Sequence, residues 1–298
     1  MAIEKTLSGL LTYTIENQGS DLHICPGASP FIRVDGIMKK LEVEPFSPID
    51  IKEIIKETYM LDPDKKKEMY SRGAASAYSF SINGIGRFRA CAYSQRGTTA
   101  MTIRILPYKL PSIESIGYGE RFKERIADFA NHKRGLFLLM GMTDSGKSTT
   151  LAAIVDYLNE ATASHITTIE HPIEYLHMHK NSIVTQKEIG EDVPDLSSAI
   201  LWAITQNADV IALGDIDRTE KDIMDAVAAA EDKLVFACIK TPTPIENASE
   251  FFREVLTHES TQKLKRLSNA LKGTIHHYFG GDGGRTVHIT ENPLVTRI

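Results

Sequence analysis

Apolar residues recur along this chain with two periods, and the changes of period divide it. Ile3, Leu7, Leu10 and Leu11 share one face at helical spacing, which predicts a first helix. Ser20 to Ile24 and Phe31 to Gly36 read as short strands, separated by a turn region holding Gly27 and Pro30. Residues 48–70 read as helical, with Lys65, Lys66 and Lys67 on a solvated face. A period of two then takes over. Tyr78 to Ile82, the Asn83-Gly84 turn and Arg87 to Gln95 form the strongest hairpin signal in the chain. A second turn at Arg96-Gly97 leads to a strand in which Met101, Ile103 and Ile105 alternate with Thr102 and Arg104, placing Arg104 on the polar face.

Pro107, Pro111, Gly117 and Gly119 punctuate the next stretch and predict an interdomain linker. Beyond it, strands and helices alternate: a helix near 120–132, the apolar run Leu136 to Met140, and a helix with Leu151, Ile154, Val155 and Leu158 on one face. A strand at His165 to Ile169 and a helix at Leu196 to Gln206 follow. Last come the strand Asp209 to Leu213, an Ala-rich helix ending near Ala230, and the strand Leu234 to Cys238. That order predicts an α/β domain with a mainly parallel sheet covered by helices, and ligands at the carboxyl ends of its strands.

One of those strand ends carries Gly141-Met142-Thr143-Asp144-Ser145-Gly146-Lys147-Ser148. A buried strand before it and an amphipathic helix after it make this a phosphate-binding loop rather than a chance Gly-rich turn. Its backbone N–H groups and the helix N-terminus favour phosphate, Lys147 suits the β- and γ-phosphates, and the Ser148 hydroxyl suits a Mg²⁺ position. Other strand ends bring Glu170, His171 and Glu174, then Gly214-Asp215, then Lys240-Thr241. A phosphate-loop enzyme needs a carboxylate near its Mg²⁺ and a group to orient the attacking water, and these positions offer both.

Composition narrows the picture. The 298 residues leave room for two domains with their own cores. A formal net charge of −5 and a pI near 6.1 argue against a duplex nucleic-acid partner, which favours a basic face. Cys25, Cys91 and Cys238 are scattered without a CxxC pair, which points neither to a disulfide framework nor to a zinc site and fits a reducing compartment. His177-Met178-His179 matches no common zinc spacing. No apolar run approaches membrane-spanning length. Arg87, Arg89, Arg96 and Arg104 crowd the small antiparallel sheet, where they are either solvated charges or groups that reach a phosphate across an interface.

With those motifs in place, the sequence resembles the retraction ATPases of bacterial type IV pili, the PilT family within the type II/IV secretion ATPases. Ser20-Asp21-Leu22-His23 with Ile32 to Gly36, then Arg87-Phe88-Arg89 and Gln95-Arg96-Gly97, match the family's N-terminal pattern. Gly141 to Thr150 matches its Walker A segment, Thr168 to Glu174 its aspartate box, and Asp209 to Asp215 its Walker B segment. The resemblance implies a RecA-like P-loop NTPase domain over 119–298, a linker over 108–118 and a smaller PAS-like α+β domain over 1–107. It implies ATP with Mg²⁺, bound by Gly141, Thr143, Asp144, Ser145, Gly146, Lys147, Ser148 and Thr149, with Arg96 and Arg104 facing phosphate. Asp215, Glu170, Glu174 and Lys240 take the catalytic positions, and Ser148 and Asp215 the metal. It further implies a hexamer, or a ring mixed with paralogues, that works on the cytoplasmic side of the inner membrane against a platform protein at the pilus base. The family's pattern continues beyond Ile298 into a helical region.

The departures bear on activity. The family has Gly at Asp144, Asp at His171, Glu at Asp215, His at Lys240, and Arg at Leu201 and Thr205, six changes expected in one pocket. A carboxylate ~5 Å from a phosphate charge is repelled by roughly 3 kcal/mol at an effective dielectric of ~20, enough to weaken binding about a hundredfold if it points inward. Asp215 is one methylene shorter than Glu, and a catalytic group about 1 Å out of place costs about a hundredfold in rate. The leading expectation is a protein that binds adenine nucleotide and hydrolyses it slowly if at all. An active retraction ATPase and a non-catalytic regulatory subunit are the alternatives.

Overall fold

A computed structural model describes residues 3–58, 75–106, 110–241, 252, 261–279 and 285–291. The chain forms two compact units, Met1–Tyr108 and Lys109–Ile298.

The first unit contains α1 (Leu7–Glu16), β1 (Asp21–Ile24), β2 (Phe31–Val34), β3 (Ile37–Lys40), α2 (Pro48–Thr58), β4 (Ala75–Ile82), β5 (Gly86–Gln95) and β6 (Thr98–Ile105). These strands make an antiparallel sheet in the order β3-β2-β1-β6-β5-β4. Alternation decides its faces: Phe88, Ala90 and Ala92 of β5 point inward with Met101 and Ile103 of β6, against Leu10 and Leu11 of α1 and Ile51 and Ile55 of α2. α1 starts where the Thr6 side chain accepts a hydrogen bond from Gly9 N. The expected strand to Gly36 stops at Val34, because Asp35 (φ 49°) and Gly36 (φ 79°) form a left-handed two-residue turn. That turn makes β3, whose four residues are all exposed and so carry no periodic signal. Arg96 (φ 47°) and Gly97 (φ 76°) make the same kind of turn between β5 and β6. The expected helix over 48–70 is helical to Thr58, and residues 59–70 with their lysines lie outside the described residues.

The second unit contains α3 (Glu120–Ala130), β7 (Gly135–Gly141), α4 (Lys147–Ala161), β8 (His165–Glu170), β9 (Ile183–Glu188), α5 (Leu196–Thr205), β10 (Val210–Ile216), α6 (Glu220–Ala230), β11 (Leu234–Lys240), α7 (Thr261–Ala270), β12 (Leu271–Phe279) and β13 (Arg285–Glu291). The sheet order is β13-β12-β7-β11-β10-β8-β9, parallel except that β13 runs against β12. Both faces are covered, which is why β7 and β11 read as unbroken apolar runs. Leu136, Leu138 and Met140 join one core with α5, α6 and α7, while Phe137 and Leu139 join another with α3 and α4. Ile113, ahead of α3, is buried in that second core. No helix among the described residues is long and apolar enough to cross a membrane.

Candidate functional site

The site forms where β7 ends. Gly141 must be glycine: a Cβ there would lie 2.7 Å from Ser145 Oγ and 2.9 Å from both Cβ and O of His277, since β12 runs alongside in register. The loop then turns through Asp144 (φ 62°) and Gly146 (φ 100°), and Gly146 opens α4 with no side-chain cap. An uncapped helix start presents backbone N–H groups and partial positive charge to an anion. Ser145 braces the loop by donating from Oγ to Met142 O at 2.8 Å. Lys147 is only 3% exposed, donates to Met142 O at 3.0 Å, and pairs with Asp215 at 3.4 Å. Thr143 and Asp144 are exposed.

The partner strands supply the acids. β10 and β11 change register between Leu213 and Asp215. The extra residue, Gly214, interrupts the alternation, so Asp215 stands opposite Cys238, a residue of the α4-side core. Without that bulge Asp215 would share the face of Leu213, beneath α5 and α6. Gly214 also passes close to β8, where its Cβ would meet Glu170 Cα at 3.3 Å. Glu170 accepts from Thr168 Oγ1 at 2.7 Å and from Gln186 Nε2 at 3.5 Å, and burial pushes its carboxyl up to about 7. Glu174 is raised as well, by burial first and by the charge of Asp215 second, against a hydrogen bond with the Ser148 hydroxyl. Ser148, Glu170, Glu174 and Asp215 line one cavity of about 60 Å³ together with His171 and His177.

Thr149 Oγ1 lies 3.2 Å from the Tyr175 hydroxyl, and Thr150 Oγ1 lies 3.0 Å from His277 Nε2. Burial and the nearby Lys147 charge lower the His277 imidazole to about 4. Lys240 ends β11 in register with Gly141, its side chain exposed. Arg96 and Arg104 belong to the first unit, where Arg104 Nε pairs with Asp21 at 3.2 Å.

The six departures do not share one pocket. His171 and Asp215 line the cavity, and Asp144 acts on Glu174 electrostatically. Leu201 and Thr205 instead lie on the outer face of α5, because Leu196, Ala199, Ile200 and Ala203 occupy its buried stripe. Leu201 is 61% exposed beside Trp202. Sequence reasoning missed Tyr175, Gln186 and His277, placed Thr168 only as the start of the aspartate-box segment, and weighed His177 only as a zinc ligand. Thr168, Tyr175 and His177 flank the acidic cluster in sequence and were within reach; Gln186 sits on β9 and His277 on β12, strands with no recognised motif.

The profile of the Type II/IV secretion system protein family matches residues 1–246. The type IV pilus retraction ATPase PilT of Pseudomonas aeruginosa is 33% identical over 269 residues, covering 90% of this chain and 76% of that one. The type IV pilus ATPase PilU of the same organism is 35% identical over 222 residues, covering 74% of this chain and 56% of its own. The crystal structure of the pilus retraction motor PilT with bound ADP superposes with a TM-score of 0.81 at 32% identity, over 96% of this chain and 82% of that one. The Legionella pneumophila ATPase DotB shares the fold, with a TM-score of 0.74 at 22% identity. A RecA-like core that follows an N-terminal α+β unit in the chain, a phosphate loop with acids at the neighbouring strand ends, and these likenesses together make the chain a member of the Type II/IV secretion system protein family.

Proposed function

We propose that this protein is an ATP-binding subunit of the type IV pilus machinery, of the retraction type, that hydrolyses its nucleotide slowly. The observation that carries the reading is the buried ammonium of Lys147, held by Met142 O and Asp215 at the mouth of an uncapped helix. In this reading the loop from Gly141 to Thr149 and Lys147 bind the phosphates, with Arg96 and Arg104 contributing by resemblance. Ser148 and Asp215 are hard oxygen donors of the type Mg²⁺ prefers, so the residues present fit that ion. When bound, Mg²⁺ neutralises charge on the phosphates. Two features support slow turnover: Asp215 is drawn into an ion pair with Lys147, and Asp144 adds a carboxylate whose charge reaches Glu174.

A fully active ATPase is the second reading, favoured by Glu170. A buried carboxyl near 7 is matched to accept a proton at neutral pH, with Glu174 and Lys240 as supporting groups. Phosphate release with ATP and Mg²⁺, measured beside direct nucleotide binding and the Lys147→Ala variant, separates the readings. Binding without turnover supports the first, and turnover abolished by Lys147→Ala supports the second. Loss of neither binding nor turnover in Lys147→Ala would remove the loop from both. We further assign a ring of six copies or a mixed ring with paralogues, placed on the cytoplasmic side of the inner membrane against a platform protein, on the strength of the family alone.

A further inference from the structure

His277 stands beside the phosphate loop without belonging to it. On β12 it alternates with Ile275, whose side chain lies in the core beneath α4, so the imidazole faces α4 as well. β12 runs parallel to β7 with His277 opposite Gly141, and His277 Cβ and O each lie 2.9 Å from the position a Gly141 Cβ would take. The ring also reaches the helix: Nε2 is 3.0 Å from Thr150 Oγ1, with His277 2% and Thr150 0% exposed. Thr150 N donates to Gly146 O at 2.9 Å, closing the first turn of α4. One residue therefore touches both ends of the loop. We propose that His277 is a positioning residue for the phosphate loop, clamping Gly141 and Thr150 so that the anion-facing N–H groups between them keep one geometry.

The energetics favour a clamp over simple filling. A buried hydroxyl and a buried imidazole nitrogen each cost desolvation unless they meet a partner, whereas a leucine opposite a valine would fill such space without that cost. Once paired, they favour one register of β12 against α4 and penalise others. The Thr150 hydroxyl can donate or accept, so either tautomer of a neutral ring makes the bond. Burial first and the Lys147 charge second hold the ring neutral, lowering it to about 4 against the Met140 and Ile275 carbonyls, which favour the imidazolium. Its role beside Lys147 is therefore geometric. From the other side the Tyr118 ring meets it edge-on with centroids 6.3 Å apart, and Tyr118 itself packs edge-on against Phe122 of α3. Donors held in place before a phosphate arrives need no reorganisation when it binds.

The role rests on the nucleotide binding proposed above, so the test has one arm with nucleotide and one without. The first measures equilibrium binding of a fluorescent ATP analogue with Mg²⁺ to the full chain. His277→Leu and Thr150→Val are each expected to weaken binding about tenfold, and the double variant no further than either alone. His277→Gln, whose amide can meet the same hydroxyl, is expected to bind within about threefold of the native chain. The second arm follows amide hydrogen exchange without nucleotide. His277→Leu and Thr150→Val are expected to exchange faster from Ser148 to Leu151 and unchanged in α6, a contrast that a general loss of packing would not give. Thr150→Val is nearly isosteric and carries both arms should His277→Leu fail to fold. Native-like binding in Thr150→Val, additive losses in the double variant, no rescue by His277→Gln, or exchange raised equally in α6 overturns the clamp. A native chain that binds no ATP analogue overturns the function proposed above instead, and exchange in α4 then decides the clamp by itself.

Discussion

Asp144 shows how one side chain sets the character of a phosphate loop. Its left-handed backbone is one that glycine adopts without strain and aspartate tolerates better than most residues. Because the residue is exposed, screening reduces the hundredfold penalty estimated for an inward carboxylate. We expect Asp144→Gly to tighten ATP binding roughly tenfold at low ionic strength, with the gain shrinking as salt rises. An affinity unchanged at low salt would mean that the carboxylate stays in solvent. Glu170 makes a prediction about stability. Its folded carboxyl is raised from 4.5 to about 7, so between those values the native state holds more protons than the unfolded chain. Stability from this group is complete below 4.5 and is lost as pH rises through about 7. Glu170→Gln mimics the protonated form. It is expected to melt at a higher temperature than the native protein at pH ~8, by at most roughly 3 kcal/mol, with the difference closing near pH ~5.

At the scale of elements, the site depends on two places where strands depart from regular pairing or approach too closely for a side chain. The bulge at Gly214 brings Asp215 to the face of the sheet under α4, within 3.4 Å of Lys147. The approach of β12 to the end of β7 leaves no space at Gly141. In Gly141→Ala the Ser145 hydroxyl can rotate away, but the His277 backbone oxygen cannot, so a strand must move. The expected cost is about 2 kcal/mol in chemical denaturation, accompanied by weaker nucleotide binding. Retained stability and affinity would show that β12 yields easily. The α5 face tells the opposite story. Leu201 and Thr205 stand where the family's pattern has arginines, and both point away from the cavity. Whatever those changes do, they do not alter the lining around Glu170.

At the scale of the molecule, each unit has its own core and sheet, and the phosphate loop belongs wholly to the second. If the chain assembles as its family suggests, sedimentation with ATP and Mg²⁺ should give a particle of about six 33.1 kDa chains, and Lys147→Ala should lose the nucleotide dependence. A monomer at every nucleotide concentration would exclude the ring. Much of this organisation was readable in advance. The doubly covered sheet was legible because strands buried on both faces carry unbroken apolar runs, as Leu136 to Met140 and Leu234 to Cys238 do. β3 and β9 were not, because exposed or mixed edge strands need no periodic pattern once a neighbour supplies their hydrogen bonds.

What the sequence determined alone was local chemistry: a glycine-punctuated loop between a buried strand and an amphipathic helix, Lys147 and Ser148 at its end, and acids at successive strand ends. These follow from backbone sterics and periodicity, which act over a few residues. Tertiary structure decided which of those groups meet. The register shift at Gly214 selects the face of Asp215, the burial of Glu170 moves its proton affinity, and Gln186 of β9 accepts from the backbone N–H of His177 beside the cavity. Register, burial and strand neighbours are set by contacts between residues far apart in the chain, so they are written in the folded molecule rather than in any short stretch of its sequence.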